Sequence, residues 1–453
     1  MKSIDVLWLI EHNARELDVA CAVRHHLQSQ HGLSVKIVHM WRTDLFELAQ
    51  VCTPRVVAVP YAYGVRRGFM EDYLPRWRES VIFNLAWEQF YEKAYQPLKH
   101  PEDAFVREHV IHHAWGTGFR DYLLAGGVPE NNIFLNGHPA LALYAPPYCD
   151  VFKTRAAIAK EFNLDPARRW VFFPETYSWA FRSEKWVATQ REWGVSQADI
   201  DASQAFCVES LPIVLDWIKR LADTGQVEVI IRPRPTTSQE DFLSLAQGGP
   251  SAFPPNVHFN KQYSIREWIL ASDLVISSHS TSLIEAAIAG KPAWKILPLP
   301  LPEPMLADWM RYCPQIDRED EFIRIGLEGG NAPEPHPLAR WAHGELMGPR
   351  DPLRELAACL AGLCHPRGAR PPMNPAALGQ LIPRGYAALQ ARQSLSTKDK
   401  LYRRLWKGWS RKKKQLFGKA ETPEVAREFL SQQDVQKRTG AFARAIGHPE
   451  RTA

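Results

Sequence analysis

No two cysteines in this chain are spaced CxxC, and the seven present (Cys21, Cys52, Cys149, Cys207, Cys313, Cys359 and Cys364) are scattered and odd in number. That pattern favours reduced thiols in a cytoplasm over a disulfide framework. The chain has no Walker A sequence and no GxGxxG, so neither an ATPase nor a dinucleotide oxidoreductase has support. It has no uncharged apolar run of 18 residues, and nothing is expected to span a membrane. Val6–Ile10, stopped by Glu11, is too short for the core of a signal peptide. A net excess of positive charge is found in one place. Residues 398–419 carry ten Lys or Arg against one Asp, a local +9, while the whole chain sums to +5. The remainder is therefore close to −4, which argues against a nucleic-acid-binding body.

What is present is an ordinary globular composition, 45% hydrophobic and 23% charged, over 453 residues, enough for two or three domains. Short β-branched runs alternate with helix-like segments from the start. Strands are expected at Ile4–Ile10, 34–40, 55–60, 81–86, 109–115 and 132–135. Helices are expected from Asn13 to about Gln30, over 44–51, around Glu88 and Phe90, and near 120–125. Strand, helix, strand at this spacing predicts parallel pairing through right-handed crossovers, one doubly wound domain over residues 1–150. After Pro139, Pro146 and Pro147 the pattern restarts at Trp170 and predicts a second such domain over 165–365. Its long helix covers 197–224, and a helical extension occupies 366–453. The fold class is α/β: two Rossmann-like domains facing a cleft.

Open parallel sheets bind ligands outside the carboxyl ends of their strands. Five polar clusters sit at such ends: Glu11-His12-Asn13, Gly137-His138-Pro139, Glu175-Thr176-Tyr177-Ser178, Arg232-Pro233-Arg234-Pro235, and Ser277 to Ser282. In the last, the strand Leu274–Ile276 delivers Ser278, His279, Ser280 and Thr281 onto a helix beginning at Ser282, an arrangement suited to anions. Ser282 with Glu285, like Asn13 with Glu16, also fits a capping box. Arg232 and Arg234 supply guanidiniums matched to phosphate. Glu11 is either a base or an ion-pair partner of Arg15, four residues on. Asp199-Ile-Asp201 opens a helix, where acidic residues are ordinary, and His109, His112 and His113 complete no metal-ligand set, so no metal is expected.

The Arg-Pro-x-Pro strand end, followed by Ser272-Asp-Leu-Val-Ile-Ser-Ser-His-Ser-Thr-Ser-Leu-Ile-Glu-Ala286 and Gly290-Lys-Pro292, resembles bacterial surface- and capsular-polysaccharide glycosyltransferases of the two-domain B-type fold. Glu11-His-Asn-Ala-Arg-Glu-Leu-Asp18 and Gly137-His-Pro139 are similar to the "surface carbohydrate biosynthesis protein" group. The resemblance covers about residues 1–300, and it departs from the usual Arg-Pro-His-Pro at Arg234, which cannot donate a proton at neutral pH. It implies transfer of a sugar from a UDP- or CMP-linked donor, held by the second domain, to a surface polysaccharide or lipid-linked glycan held by the first. On that reading Glu11 and Arg234 are catalytic. Arg232, Ser278, Ser280, Thr281, Ser282, Glu285, Glu175, Thr176, Ser178 and His138 bind substrate, and no cofactor or metal is required. Two alternatives remain open: a nucleotide-sugar epimerase or hydrolase on the same frame, and a non-catalytic nucleotide-sugar-binding scaffold.

In the extension, Leu401, Leu405, Trp409, Leu416 and Phe417 form an apolar stripe among Lys and Arg. A basic amphipathic segment of this kind suits an anionic membrane surface. The expected location is cytoplasmic and peripheral, on the inner face of the cytoplasmic membrane.

Overall fold

The computed structural model describes residues 4–40, 48, 52–65, 73–74, 76–234, 237, 239–244, 253–329, 336–365 and 430–447. Two six-stranded parallel sheets form its frame. The first contains β1 (Ile4–Ile10), β2 (Val35–His39), β3 (Pro54–Val59), β4 (Val81–Asn84), β5 (Val110–Ala114) and β6 (Ile133–Leu135), in the order β2-β1-β3-β4-β5-β6. The second contains β7 (Arg169–Pro174), β8 (Val227–Arg232), β9 (Val257–Phe259), β10 (Leu274–Ser277), β11 (Ala293–Ile296) and β12 (Gln315–Ile316), in the order β9-β8-β7-β10-β11-β12. Val6 to Ile10 are fully buried, as expected of a central parallel strand covered on both faces.

The helices are α1 (Asn13–His31), α2 (Ala104–His109), α3 (Thr117–Ala125), α4 (Arg155–Phe162), α5 (Glu184–Glu192), α6 (Gln197–Asp223) and α7 (Gln239–Ser244). They continue with α8 (Ile265–Ala271), α9 (Ser282–Ile288), α10 (Glu319–Glu328), α11 (Pro337–Leu346), α12 (Pro352–Leu363) and α13 (Gln432–Gly447). Their ends follow local chemistry. Gly32, at φ 65, closes α1 with its N–H on Leu27 O, a left-handed position that glycine takes without a Cβ clash. Ser196 caps α6 by accepting from Asp199 N at 3.1 Å.

Three sequence expectations change. The residues around Glu88 and Phe90 form no helix; they run as a loop after β4 in which Ala86 has φ 48. Gln89 pins that loop, donating to Ala86 O (3.1 Å) and His113 O (2.9 Å) and accepting from Trp115 N (2.9 Å). The capping boxes differ as well. Thr281 is the N-cap of α9 without a side-chain bond, and Glu285 turns instead to Tyr144. At α1 the N-cap is His12, and Glu16 reaches past it to accept from Glu11 N (2.9 Å) and His12 N (3.3 Å). A full capping box forms elsewhere, between Ser264 and Glu267 of α8.

One apolar cluster spans both sheets, and each sheet has a further cluster of its own. The buried turn Leu141–Tyr144 of the linker packs on α9, joining residues such as Trp8 and Phe83 to Phe172 and Leu283. The chain then returns. Helix α12, read from sequence as the end of the second domain, packs on α1 and β3 of the first, and α13 packs on α1 as well. Of the expected helix over 44–51 only Leu48 is described, and it is helical; the basic segment 398–419 lies outside the described residues.

Candidate functional site

In both sheets the strand order reverses at one point, between β1 and β3 and between β7 and β10. Ligand crevices open at the carboxyl ends of strands flanking such a reversal. In the second domain these ends carry Glu175 to Ser178 (after β7) and Ser278 to Ser282 (after β10), with Arg234 beyond the neighbouring β8. In the first they carry Glu11 (after β1) and Tyr61 (after β3), and the loop after β4 adds Glu88 to Tyr95.

Arg234 is exposed; its guanidinium donates to Ser178 Oγ at 2.8 Å and its backbone N–H to Glu175 Oε2 at 3.0 Å. Glu175 is 3% exposed. Burial pushes its carboxyl above the usual range, against the pull of the Arg234 N–H and guanidinium. It therefore works as a bracket for the Arg-Pro turn, with Thr176 buried beside it. Arg232 is placed differently from the expectation. Its guanidinium donates to Gln262 O (2.9 Å) and Tyr263 O (2.7 Å), and burial lowers its pKa to about 10.

At the Ser-rich loop, Ser278 is fully buried and lies 3.2 Å from His279 Nδ1. His279 is kept neutral, at about 3, by burial and then by Arg234. Ser280 and Ser282 bond through their hydroxyls, and the N–H groups of Ser282, Leu283, Ile284 and Glu285 already donate within residues 280–281. The helix end is thus internally satisfied, leaving Thr281, which is exposed, as the polar side chain presented at this edge. Glu285 accepts from Tyr144 OH at 2.7 Å and faces the buried Arg266, so it braces the domain junction. His138 is held in place as well: it stacks on Trp115 with centroids 3.6 Å apart, and its backbone N–H donates to Leu346 O at 2.7 Å. Burial holds its pKa well below the ordinary value.

Facing Arg234 from the first domain is a charged and aromatic wall. Glu11 accepts from Arg15 at 3.1 Å, the i,i+4 pair its spacing allowed. Arg15 also lies 3.6 Å from Glu88, which bonds Lys99. Burial opposes charge on Glu88, but Lys99 and Arg15 prevail and hold it near 2. The Lys99 ammonium stands 5.3 Å from the Tyr91 ring and 5.8 Å from those of Tyr63 and Tyr95. Tyr61 stacks on Tyr63 with centroids 5.6 Å apart. Sequence reasoning missed Lys99, Glu92 and these tyrosines. The available signal was the run Phe90-Tyr91-Glu92-Lys93-Ala94-Tyr95 just past a strand end, hidden by reading it as helix.

The discounted groups have structural places. His112 bonds Asn84 at 3.1 Å and Val106 O at 2.9 Å. Asp199 and Asp201 pair locally with Ser196 and Gln197 on an exposed turn. A cavity of about 430 Å³ lies to one side, between α1, α8 and α13, lined among others by Asn13, Leu17, Tyr263, Glu267 and Arg438. Of the strand-end clusters, only Asn13 is among its lining residues.

No protein-family model matches the chain, and no curated protein matches it. Solved structures do. The wall teichoic acid polymerase TagF superposes with TM-score 0.53 at 10% identity, over 80% of this chain and 88% of that one. UDP-GlcNAc 2-epimerase from Neisseria meningitidis, bound to UDP-GlcNAc, gives 0.49 at 12% identity, over 80% and 99%. Anabaena Alr3699/HepE in complex with UDP-glucose gives 0.39 at 10% identity, over 85% and 100%. At such identities the likeness is one of fold: the chain has the two-domain B-type architecture, two Rossmann-like sheets facing a cleft.

Proposed function

We propose that this protein is a glycosyltransferase that moves a sugar from a nucleotide-linked donor, UDP or CMP, to a glycan acceptor of surface-polysaccharide assembly. The observation that carries the reading is Arg234: an exposed guanidinium at the edge of the donor-side crevice, bracketed by Glu175 and Ser178 and facing the first domain's charged wall. A leaving nucleotide develops negative charge on its phosphate, and a fixed cation there stabilises the transition state without a metal. Ser280 and Thr281 line the same edge. Tyr61, Tyr63, Tyr91 and Tyr95 offer ring faces for the acceptor's pyranose. A solved structure of TagF, which shares this fold at TM-score 0.52, is of a variant with CDPG.

The test is a thermal-shift screen of UDP, CMP and their sugar conjugates, followed by turnover in EDTA. A bound nucleotide at a hundred times its Kd stabilises the fold by about 2.7 kcal/mol, a readable upward shift in Tm. Turnover should persist in EDTA. If no nucleotide shifts Tm the reading falls; activity lost in EDTA and restored by magnesium overturns the metal-free mechanism.

The acceptor's site of assembly bears on residues 398–419. No described helix is long and apolar enough to cross a membrane, and the local +9 of this segment supplies an electrostatic anchor in its place. Deleting 398–419 should abolish sedimentation with anionic vesicles and spare turnover of a soluble acceptor. In the intact chain, salt should weaken vesicle binding, since screening acts over ~10 Å at 0.1 M. Vesicle binding that survives the deletion removes the anchor from this segment.

A further inference from the structure

Five carboxylates have been placed at the cleft and the domain junction, and four of them are held. Glu11 is paired to Arg15, Glu88 to Lys99, Glu175 to the Arg234 backbone and Glu285 to Tyr144. The Glu92 carboxylate forms no hydrogen bond or ion pair with any described residue; the charges it feels are those of Arg234, Lys99 and Glu88. Its position is nevertheless fixed. Its carbonyl accepts from Tyr95 N (2.9 Å) and Gln96 N (3.1 Å), closing a turn. The next two backbone N–H groups cross to the other domain, Lys93 to Leu306 O at 2.9 Å and Ala94 to Pro304 O at 3.1 Å. This half-buried carboxylate therefore stands unpaired among the described residues, on a turn clamped to the opposite domain, where a substrate group can meet it.

Resting on the transferase reading, we propose that Glu92 is the general base of the reaction. Its carboxylate takes the proton of the acceptor hydroxyl while that oxygen bonds to the anomeric carbon of the donor sugar. The bond from that carbon to the phosphate oxygen breaks, and its electron pair leaves with the nucleotide beside Arg234. The proton passes from Glu92 to water after the product departs. Glu11, by contrast, is already engaged by Arg15 at 3.1 Å. Burial raises Glu92 to about 7, against the downward pull of Arg234 and Lys99 and with the help of Glu88, which places it where a base is most effective at neutral pH.

The experiment uses the full chain with UDP-N-acetylglucosamine, UDP-glucose and a CMP-linked sialic acid as donors and a set of alkyl pyranosides as acceptors. For the wild type, kcat/KM should rise with pH through about 7, the Glu92 carboxylate being the active form. Glu92→Gln should keep its affinity for UDP and CMP and its Tm, lose ~10²–10⁴-fold in transfer, and lose the acid limb of the profile. Glu92→Asp should retain part of the rate and the limb. Transfer and an acid limb that both survive in Glu92→Gln would remove Glu92 as the base and leave the transferase reading standing. A wild type that hydrolyses or epimerises these donors but glycosylates no acceptor would sink the transferase reading and this inference with it.

Discussion

Replacing Arg234 by alanine is expected to weaken nucleotide binding roughly 10- to 100-fold, with the melting temperature unchanged. A hydrogen bond to a charged group contributes about 1.5–3 kcal/mol, and each 1.4 kcal/mol is about tenfold in Kd. The fold should not notice, because the guanidinium is exposed and its described hydrogen bond is to Ser178. Arg232→Ala is the internal control and should behave in the opposite sense. That guanidinium donates to Gln262 O and Tyr263 O; its loss leaves Gln262 O to the Trp268 indole alone and Tyr263 O short of a donor, and should lower Tm with little change in nucleotide affinity. Calorimetric titration with UDP and CMP, alongside thermal melts of both variants, separates the two roles. An unchanged Kd in Arg234→Ala would end its assignment to the phosphate. A weakened Kd with normal Tm in Arg232→Ala would move the phosphate site to that residue.

That contrast shows how far the sequence carried. The strand ends were legible because buried parallel strands read as short β-branched runs and the polar residues after them stand out. Glu11 with Arg15 was legible too, since four residues on a helix fix the distance. Arg232 and Arg234 look equivalent in a string. Only the path of residues 260–264, which brings two carbonyls against one of them, tells them apart. Glu285 finds Tyr144 from 141 residues away, and no local pattern encodes that pairing. Glu92 was hidden for another reason. Its neighbours suit a helix locally, but Gln89 ties the loop to the backbone of two strand ends and overrides that preference. The return of α12 and α13 to the first domain was illegible because its cause is a matching surface on α1.

The largest stability effect is expected at that returning helix, where one carboxylate holds three segments together. Asp18 of α1, 5% exposed, accepts from Arg266 of α8 at 3.2 Å and from Arg438 of α13 at 2.6 Å. Arg266 is 2% exposed and also donates to Ala14 O (3.4 Å) and Arg15 O (3.1 Å), while Arg438 lies 3.8 Å from Glu267. Asp18→Ala leaves the buried Arg266 guanidinium without its direct carboxylate partner, and breaking a buried pair from one side costs about 3–5 kcal/mol. Because Asp18 belongs to the first domain and Arg266 to the second, the loss should fall on their junction. Scanning calorimetry is then expected to show the unfolding endotherm shifting down and splitting in two. The double variant Asp18→Ala with Arg266→Met should be more stable than the single one, since removing the second charge relieves the uncompensated burial. A single variant that melts in one transition at the wild-type temperature would show that the junction is held by its apolar core alone, with Asp18 contributing nothing measurable.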